Sequence, residues 1–305
     1  MNRRFTSVEA RIDRAAHLVL DRLPANGIAG AAVEFLVFGI KQAWACIFGG
    51  LLLALMIGTR LYWPEAAPIH RSDFLFLAAL SIQACLLLFK LETWDEAKVI
   101  LAFHIVGTAM ELFKTAVGSW TYPEDAIFRI ATVPLFSGFM YAAVGSYIAR
   151  ITRIFDMRYT GFPPLWAVTL LAVAIYVNFF AHHYVIDIRM ALFAITAILF
   201  FRTWVHYRVF RWRLKMPLLV GFSLVTLFIW IAENIATWSN AWLYPTQANG
   251  WVPVSASKLG AWFLLMIISF VLVKLVHRPR GLDPSEDHET QRSHPTPHRP
   301  YQQMK

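Results

Sequence analysis

Glu111-Leu-Phe-Lys114-Thr115-Ala-Val-Gly118-Ser-Trp120-Thr-Tyr122-Pro123 is the stretch on which the reading of the chain turns. It recurs as Glu233-Asn-Ile-Ala-Thr237-Trp-Ser-Asn-Ala-Trp242-Leu-Tyr244-Pro245. Both copies fit Glu-x3-Thr-x4-Trp-x-Tyr-Pro without a gap, and Val-Pro follows each, at Val133-Pro134 and Val252-Pro253. Each glutamate closes a strongly apolar helical run. An ionisable group there is costly, which makes it a functional candidate by default.

Outward from the motif, the chain reads as membrane protein. Of its 305 residues, 58% are hydrophobic and only 15% charged, and apolar runs near the roughly 20 residues needed to cross hydrocarbon recur along it. Eight spans are expected, at 42–62, 73–91, 97–118, 127–150, 164–181, 187–204, 217–238 and 255–276, separated by breakers such as Trp63-Pro64, Gly161-Phe-Pro163-Pro164 and Tyr244-Pro245. Residues 31–41, with Glu34 and Lys41 among apolar neighbours, predict an interfacial helix leading into the first span. The first 30 residues are polar and carry no short apolar core with a cleavage site, so no cleaved signal peptide is expected. Cys46 and Cys85 fall inside spans and read as small core residues. From residue 277 the composition, rich in Pro, His and charge, predicts disorder.

The net charge of +9 is dispersed in clusters between apolar runs, which is the footprint of the positive-inside rule and excludes a nucleic-acid-binding face. Arg150, Arg153 and Arg158 follow the fourth span, and Arg202, Arg208, Arg211, Arg213 and Lys215 follow the sixth. An even span count puts both basic loops and both termini in the cytoplasm and turns both Trp-x-Tyr-Pro segments outward. Four spans per motif copy make the halves parallel repeats about an axis along the membrane normal. The expected fold class is therefore all-α, a polytopic transmembrane helix bundle of about eight spans built as two parallel four-span repeats. The expected divisions are 1–41 (cytoplasmic polar segment and interfacial helix), 42–150 and 151–276 (the two halves) and 277–305 (disordered cytoplasmic tail).

On a helix, residues three and four apart share a face. His104, Thr108, Glu111, Thr115 and Gly118 then form one stripe, and Thr226, Trp230, Glu233, Thr237 and Asn240 its counterpart. Two matched polar stripes turn inward, and Glu111 and Glu233 are expected as a facing pair in a pocket open to the outer leaflet. Two carboxylates at low dielectric repel, so one holds its proton and can act as an acid. His104, Glu111 and Glu233 are the candidate catalytic residues. Lys114, Thr115, Trp120, Tyr122, Arg129, Thr237, Trp242 and Tyr244 are the candidate binding residues. A structural ion pair is the competing reading: Lys114 shares a face with Glu111, Arg129 opens the next span, and Lys258 stands ready for Glu233.

His182, His183 and Asp187 supply at most three ligands and read equally as an interfacial turn, so no metal site is assigned. Gln83, Ser137, Tyr141, Asn178 and Asn234 are polar positions within or beside spans that line a cavity or join helices. Phosphate-loop, zinc-protease and serine-hydrolase signatures are absent. Only His104 lies well inside a span, which argues against a haem carrier. The cofactor stays unknown.

From His104 to Glu124 the sequence resembles the bacterial membrane family catalogued as domain of unknown function 817, over most of residues 30–277. The resemblance implies a protein of the bacterial inner membrane and brings no activity with it. A weaker similarity is to the membrane proteins of carotenoid biosynthesis, carotenoid hydratases among them. These carry a Glu followed by Thr, Gly and Tyr at the end of a span, as Glu111, Thr115, Gly118 and Tyr122 do here; their Pro-Phe-Gly element is missing. Three readings follow: acid–base chemistry on a lipophilic, isoprenoid-like substrate entering from the bilayer, a proton-coupled transporter of small solutes, and a non-catalytic membrane scaffold.

Overall fold

The structure is a computed structural model describing residues 6–20 and 27–282. The described chain is mostly helical: α1 Ser7–Leu20, α2 Ile28–Ala45, α3 Ile47–Tyr62, α4 Arg71–Leu88, α5 Trp94–Ala116, α6 Phe136–Ile154, α7 Leu165–Ala181, α8 Arg189–Phe200, α9 Leu218–Trp238 and α10 Lys258–Val276. Strands β1 Arg129–Ile130 and β2 Val133–Pro134 form a small hairpin, and β3 Arg158–Thr160, β4 Trp204–Arg208 and β5 Arg213–Pro217 an antiparallel sheet.

Local sequence explains both motif helices. Thr93 and Glu96 make a capping box at the start of α5, Glu96 N donating to Thr93 Oγ1 and Thr93 N to Glu96 Oε2. At its end Gly118 takes a left-handed φ of +73°, and Ser119 N donates back to Lys114 O at 2.9 Å. α9 ends the same way: Asn240 has φ +59°, and Ala241 N donates to Ala236 O at 3.0 Å. Glycine and asparagine are the residues that tolerate this conformation. Both turns throw the Trp-x-Tyr-Pro segment back over its helix end. There Thr121 and Leu243, the x residues of the two motifs, exchange backbone hydrogen bonds at 2.9 Å in each direction.

Among the described residues five helices, α2, α4, α5, α9 and α10, are long and apolar enough to cross a membrane; α3, α7 and α8 are apolar but shorter. The expected fourth span, 127–150, begins nine residues late. Asp73 on α4 accepts the backbone N–H groups of Ile127 and Phe128 at 2.8–3.0 Å, which holds that apolar stretch as a loop before α6. The expected sixth span, 187–204, shrinks to the 12 residues of α8, because Trp204 is already a strand residue of β4. The expected interfacial helix is the longer α2, whose charged residues are buried: Glu34 Oε1 accepts from Arg211 N at 2.7 Å, and Lys41 donates to the Val209 carbonyl. Cys46 and Cys85 are exposed rather than core residues, Cys46 lying at the break between α2 and α3. Of the expected disordered tail, residues 277–282 are described and Arg280 O accepts from Tyr159 N at 2.9 Å on β3; residues 283–305 lie outside the described residues. So do residues 1–5 and 21–26 of the polar segment.

α6 and α10 stand at the centre, α6 against α2, α3, α4 and α5, and α10 against α5, α6, α7 and α9. The closest pairing, α5 on α6, depends on glycine. A Cβ on Gly107 would stand 2.7 Å from the Tyr141 ring, and one on Gly145 2.7 Å from Phe103. α9 instead packs on α10, α3 and α8. At one end of the bundle the two basic loops meet as the sheet, with Arg158 opposite His206 and Arg208 opposite Arg213. Beneath it Arg150 and Glu92, both fully buried, pair at 3.2 Å, and Arg153 joins Glu9 of α1 to Glu96 of α5. At the other end Arg71 ties the two motifs: both terminal nitrogens donate to Ser239 O at 2.8 Å, and Nε pairs with Glu124 at 3.2 Å.

Candidate functional site

Glu111 is buried in the last turns of α5 and surrounded by neutral donors. Trp120 Nε1 and Tyr122 OH both donate to Oε2 at 2.7 Å, and Tyr141 OH donates to Oε1 at 2.6 Å. The first two come from the motif itself, returned over the helix end by the Gly118 turn. The third comes from α6 and reaches Glu111 because Gly107, one turn below, leaves room for the Tyr141 ring. Burial first, and then the facing Glu111 carboxylate, push the Tyr122 phenol well above its ordinary range. It is therefore an O–H at physiological pH, and an indole N–H can only donate.

Glu233 repeats the arrangement with one change. Tyr244, eleven residues on as Tyr122 is from Glu111, donates to Oε1, and Trp262 Nε1 of α10 donates to Oε2 at 2.5 Å. The tryptophan role thus passes from the motif to α10, and Trp242 lines the cavity instead. Burial and the facing Glu233 raise the Tyr244 phenol far above its usual value as well. The two carboxylate settings touch through the ring edge of Trp120 on Tyr244, centroids 6.1 Å apart at 81°. α5 and α9 do not form a close helix pair; α10 packs against both.

Both glutamates line one cavity of about 1190 Å³ whose walls are mainly apolar. The end nearest the two motifs holds Lys114, Arg189 and Lys258, and the cavity extends past Tyr147 and Phe155 to Tyr207 at the end that carries the sheet. Leu224, Phe228 and Ile231 of α9 line it while exposed on the flank of the bundle.

The remaining expected residues divide clearly. Lys114 does not pair with Glu111; its Nζ lies 2.9 Å from His183 Nε2 and 4.2 Å from the centre of the Phe179 ring. Arg129 is exposed on β1 and pairs with Asp125 at 3.3 Å, outside the site. The hydroxyls of Thr115 and Thr237 bond carbonyls of their own helices, Glu111 O at 2.8 Å and Asn234 O at 3.2 Å, and so finish the helix ends. His104 Nδ1, Thr108 Oγ1 and Ser137 Oγ are buried without a hydrogen-bond partner between α5 and α6. Gly138 makes that contact possible, since a Cβ there would stand 2.3 Å from His104 Nδ1. His182 bonds Asn178 O at 2.9 Å, and Asp187 accepts from Asn178 Nδ2 at 3.1 Å and pairs with Arg189, so each has a protein partner. Among the described residues no group of three His, Cys, Asp or Glu side chains converges as metal ligands.

Sequence reasoning missed Trp262 and Arg71 and treated Tyr141 only as one polar position among several. Nothing in a single sequence links Trp262 to Glu233, 29 residues away. Trp262 does fall one turn beyond Lys258 at the start of the last apolar run, which a helical projection from Lys258 would have reached.

Comparison with known proteins places the chain. An uncharacterized protein of Bacillus subtilis (strain 168), YoaT, is 42% identical over 256 residues, covering 84% of this chain and 96% of that protein. Two crystal structures of MvINS, a mycobacterial Insig homolog from Mycobacterium vanbaalenii, one of them a cross-linked trimer, are 12% and 13% identical with TM-scores of 0.45. Each covers 62% of this chain and 98% of its own. Residues 34–270 match the family described as protein of unknown function (DUF817), and the chain belongs to that family.

Proposed function

We propose that the protein carries out acid–base chemistry on a lipophilic, isoprenoid-like substrate at the paired carboxyls of Glu111 and Glu233. One observation carries the reading: both carboxyls line a single apolar cavity, each held by neutral O–H and N–H donors rather than by an ion pair. In this arrangement one carboxyl gives its proton to a substrate double bond while the other, ionised, takes a proton from a neighbouring carbon. The phenols and indoles stabilise whichever carboxyl is left anionic. Trp120 and Trp242 offer aromatic rings to positive charge developing on the substrate. The exposed α9 residues on the cavity wall support entry from the bilayer side. His104 and Thr108, one to two turns before Glu111 on α5, together with Ser137 at the start of α6, offer polar atoms for returning the proton.

The membrane arrangement belongs to the same proposal. α3 to α10 cross the bilayer as eight spans, with local thinning at the short α8, in halves 42–150 and 151–276 related by an axis along the membrane normal. The matched left-handed turns at Gly118 and Asn240 and the reciprocal Thr121–Leu243 bridge support that repeat. The sheet that gathers the basic loops at the end opposite the motifs supports a cytoplasmic location for that end and both termini, in the bacterial inner membrane.

A second reading, a proton-coupled transporter of small solutes, draws on the cavity's extension from Lys258 to Tyr207. The test is the molecule that copurifies in mild detergent, followed by incubation of the protein with it in D2O. A prenyl or polyene lipid that gains carbon-bound deuterium, and fails to with Glu111→Gln or Glu233→Gln, supports the enzyme. A polar solute with no exchange refutes it in favour of transport.

A further inference from the structure

The motif end of the cavity holds three cations, and among the described residues two of them have no carboxylate at ion-pair distance. Arg189 is committed to Asp187, Nε to Oδ2 at 2.5 Å. Among the described residues no carboxylate lies within ion-pair distance of Lys114 or Lys258. Lys114, 4% exposed, contacts His183 and the Phe179 ring, and Lys258 Nζ stands 4.3 Å from the centre of the Tyr244 ring. Each ammonium has three N–H groups. A histidine nitrogen takes one from Lys114, and a ring face attracts charge without replacing the missing anion. Glu111 and Glu233 are turned to their own donors, and the charges of Glu233 and Asp187 reach Lys258 and Lys114 only from beyond ion-pair distance. α10 begins at Lys258, so the positive end of its dipole adds to the same field. Lys114 is buried and Lys258 half-buried, and a cation withdrawn from water without an adjacent anion is costly.

We infer that the cavity binds an amphiphile with an anionic carboxylate or phosphate head, the head lying between Lys114 and Lys258 and the chain running along the apolar wall toward Tyr147 and Phe155. The inference rests on the lipophilic-substrate reading above and adds the charge of the head. A neutral lipophile of the same length would fill the apolar wall and leave both ammonium groups without an anion at ion-pair distance.

The purified protein in non-ionic detergent is titrated with farnesyl phosphate and oleate, beside farnesol and oleyl alcohol, and followed by the fluorescence of the cavity tryptophans Trp120, Trp242 and Trp262. At least one anion is expected to bind more tightly than its own alcohol by about tenfold or more, and the chain that binds identifies an acyl or a prenyl source. The double variant Lys114→Met/Lys258→Met is expected to bring anion and alcohol to within about twofold, with alcohol affinity unchanged. Alcohols matching their anions in the unaltered protein would overturn the head-group inference and leave the lipophile reading standing, whether or not the variant folds. A preference that survives in the double variant would also overturn it. Failure of all four ligands to bind would overturn both.

Discussion

Replacing Glu111 separates a carboxyl held by neutral donors from one held by an ion pair. In Glu111→Leu, Trp120 Nε1, Tyr122 OH and Tyr141 OH all lose their acceptor. A stranded buried donor costs about 1–3 kcal/mol. The three are not additive, because a hydroxyl can turn toward Ser137 or Thr108, whose oxygens are unpaired. The expected loss is roughly 3–6 kcal/mol, or about 6–12 °C in Tm at roughly 2 °C per kcal/mol for a chain of this size. In Glu111→Gln, the amide oxygen keeps Trp120 and Tyr122, and the amide N–H donates to the Tyr141 hydroxyl, which turns to accept. The Trp120 and Tyr122 donors stay paired and only the Tyr141 O–H must find another acceptor, so the loss is expected at about 1–2 kcal/mol, near 2–4 °C. Had Lys114 or Arg129 been the partner, the same substitution would strand a cation at about 3–5 kcal/mol. The assay is thermal unfolding in mild detergent. A Gln variant melting as low as the Leu variant would refute the donor-cage account.

Other outcomes follow from the same contacts. Gly107→Ala puts a Cβ 2.7 Å from the Tyr141 ring and is expected to cost about 1–3 kcal/mol by overpacking, with loss of the deuterium exchange described above; unchanged exchange would detach Tyr141 from the site. Arg150→Met strands fully buried Glu92 and should cost about 3–5 kcal/mol, much of it recovered in Arg150→Met/Glu92→Leu; equal melting of single and double variants would contradict this. Lys274, fully buried and partnered among the described residues by Thr152 Oγ1 at 3.2 Å and two aromatic rings, should melt within about 2 °C of the parent or above it as Lys274→Met, and a large drop would reveal an anion beside it. Reporter fusions after Glu124 and Gly250 are expected to be active only as periplasmic reporters, and a cytoplasmic signal at either would invert the topology.

The sequence alone carried the motif pair, because its features are local. A residue that turns left-handed seven positions after each glutamate, and a tyrosine eleven after it that bonds the carboxyl, lie within one local stretch in both copies. Apolar runs long enough to cross hydrocarbon were equally readable, as were the basic clusters that the structure joins into one sheet. Boundaries failed where a distant residue intervened. Residues 127–135 look apolar enough for a helix, but Asp73 on another helix captures their N–H groups.

Partner choice is where only the tertiary structure could decide. Lys114 stands three residues from Glu111 and by helical spacing alone should pair with it, yet the crowding of Tyr141, Trp120 and Tyr122 around the carboxyl leaves the ammonium to His183, 69 residues away. Tyr141 reaches Glu111 across 30 residues only because Gly107 faces it, and Trp262 takes at Glu233 the role that Trp120 takes at Glu111. A hydrogen bond acts over about 3 Å, so which donor meets a buried carboxyl depends on how closely two helices approach. That approach is decided by the side chains, glycines included, that the packed bundle brings face to face.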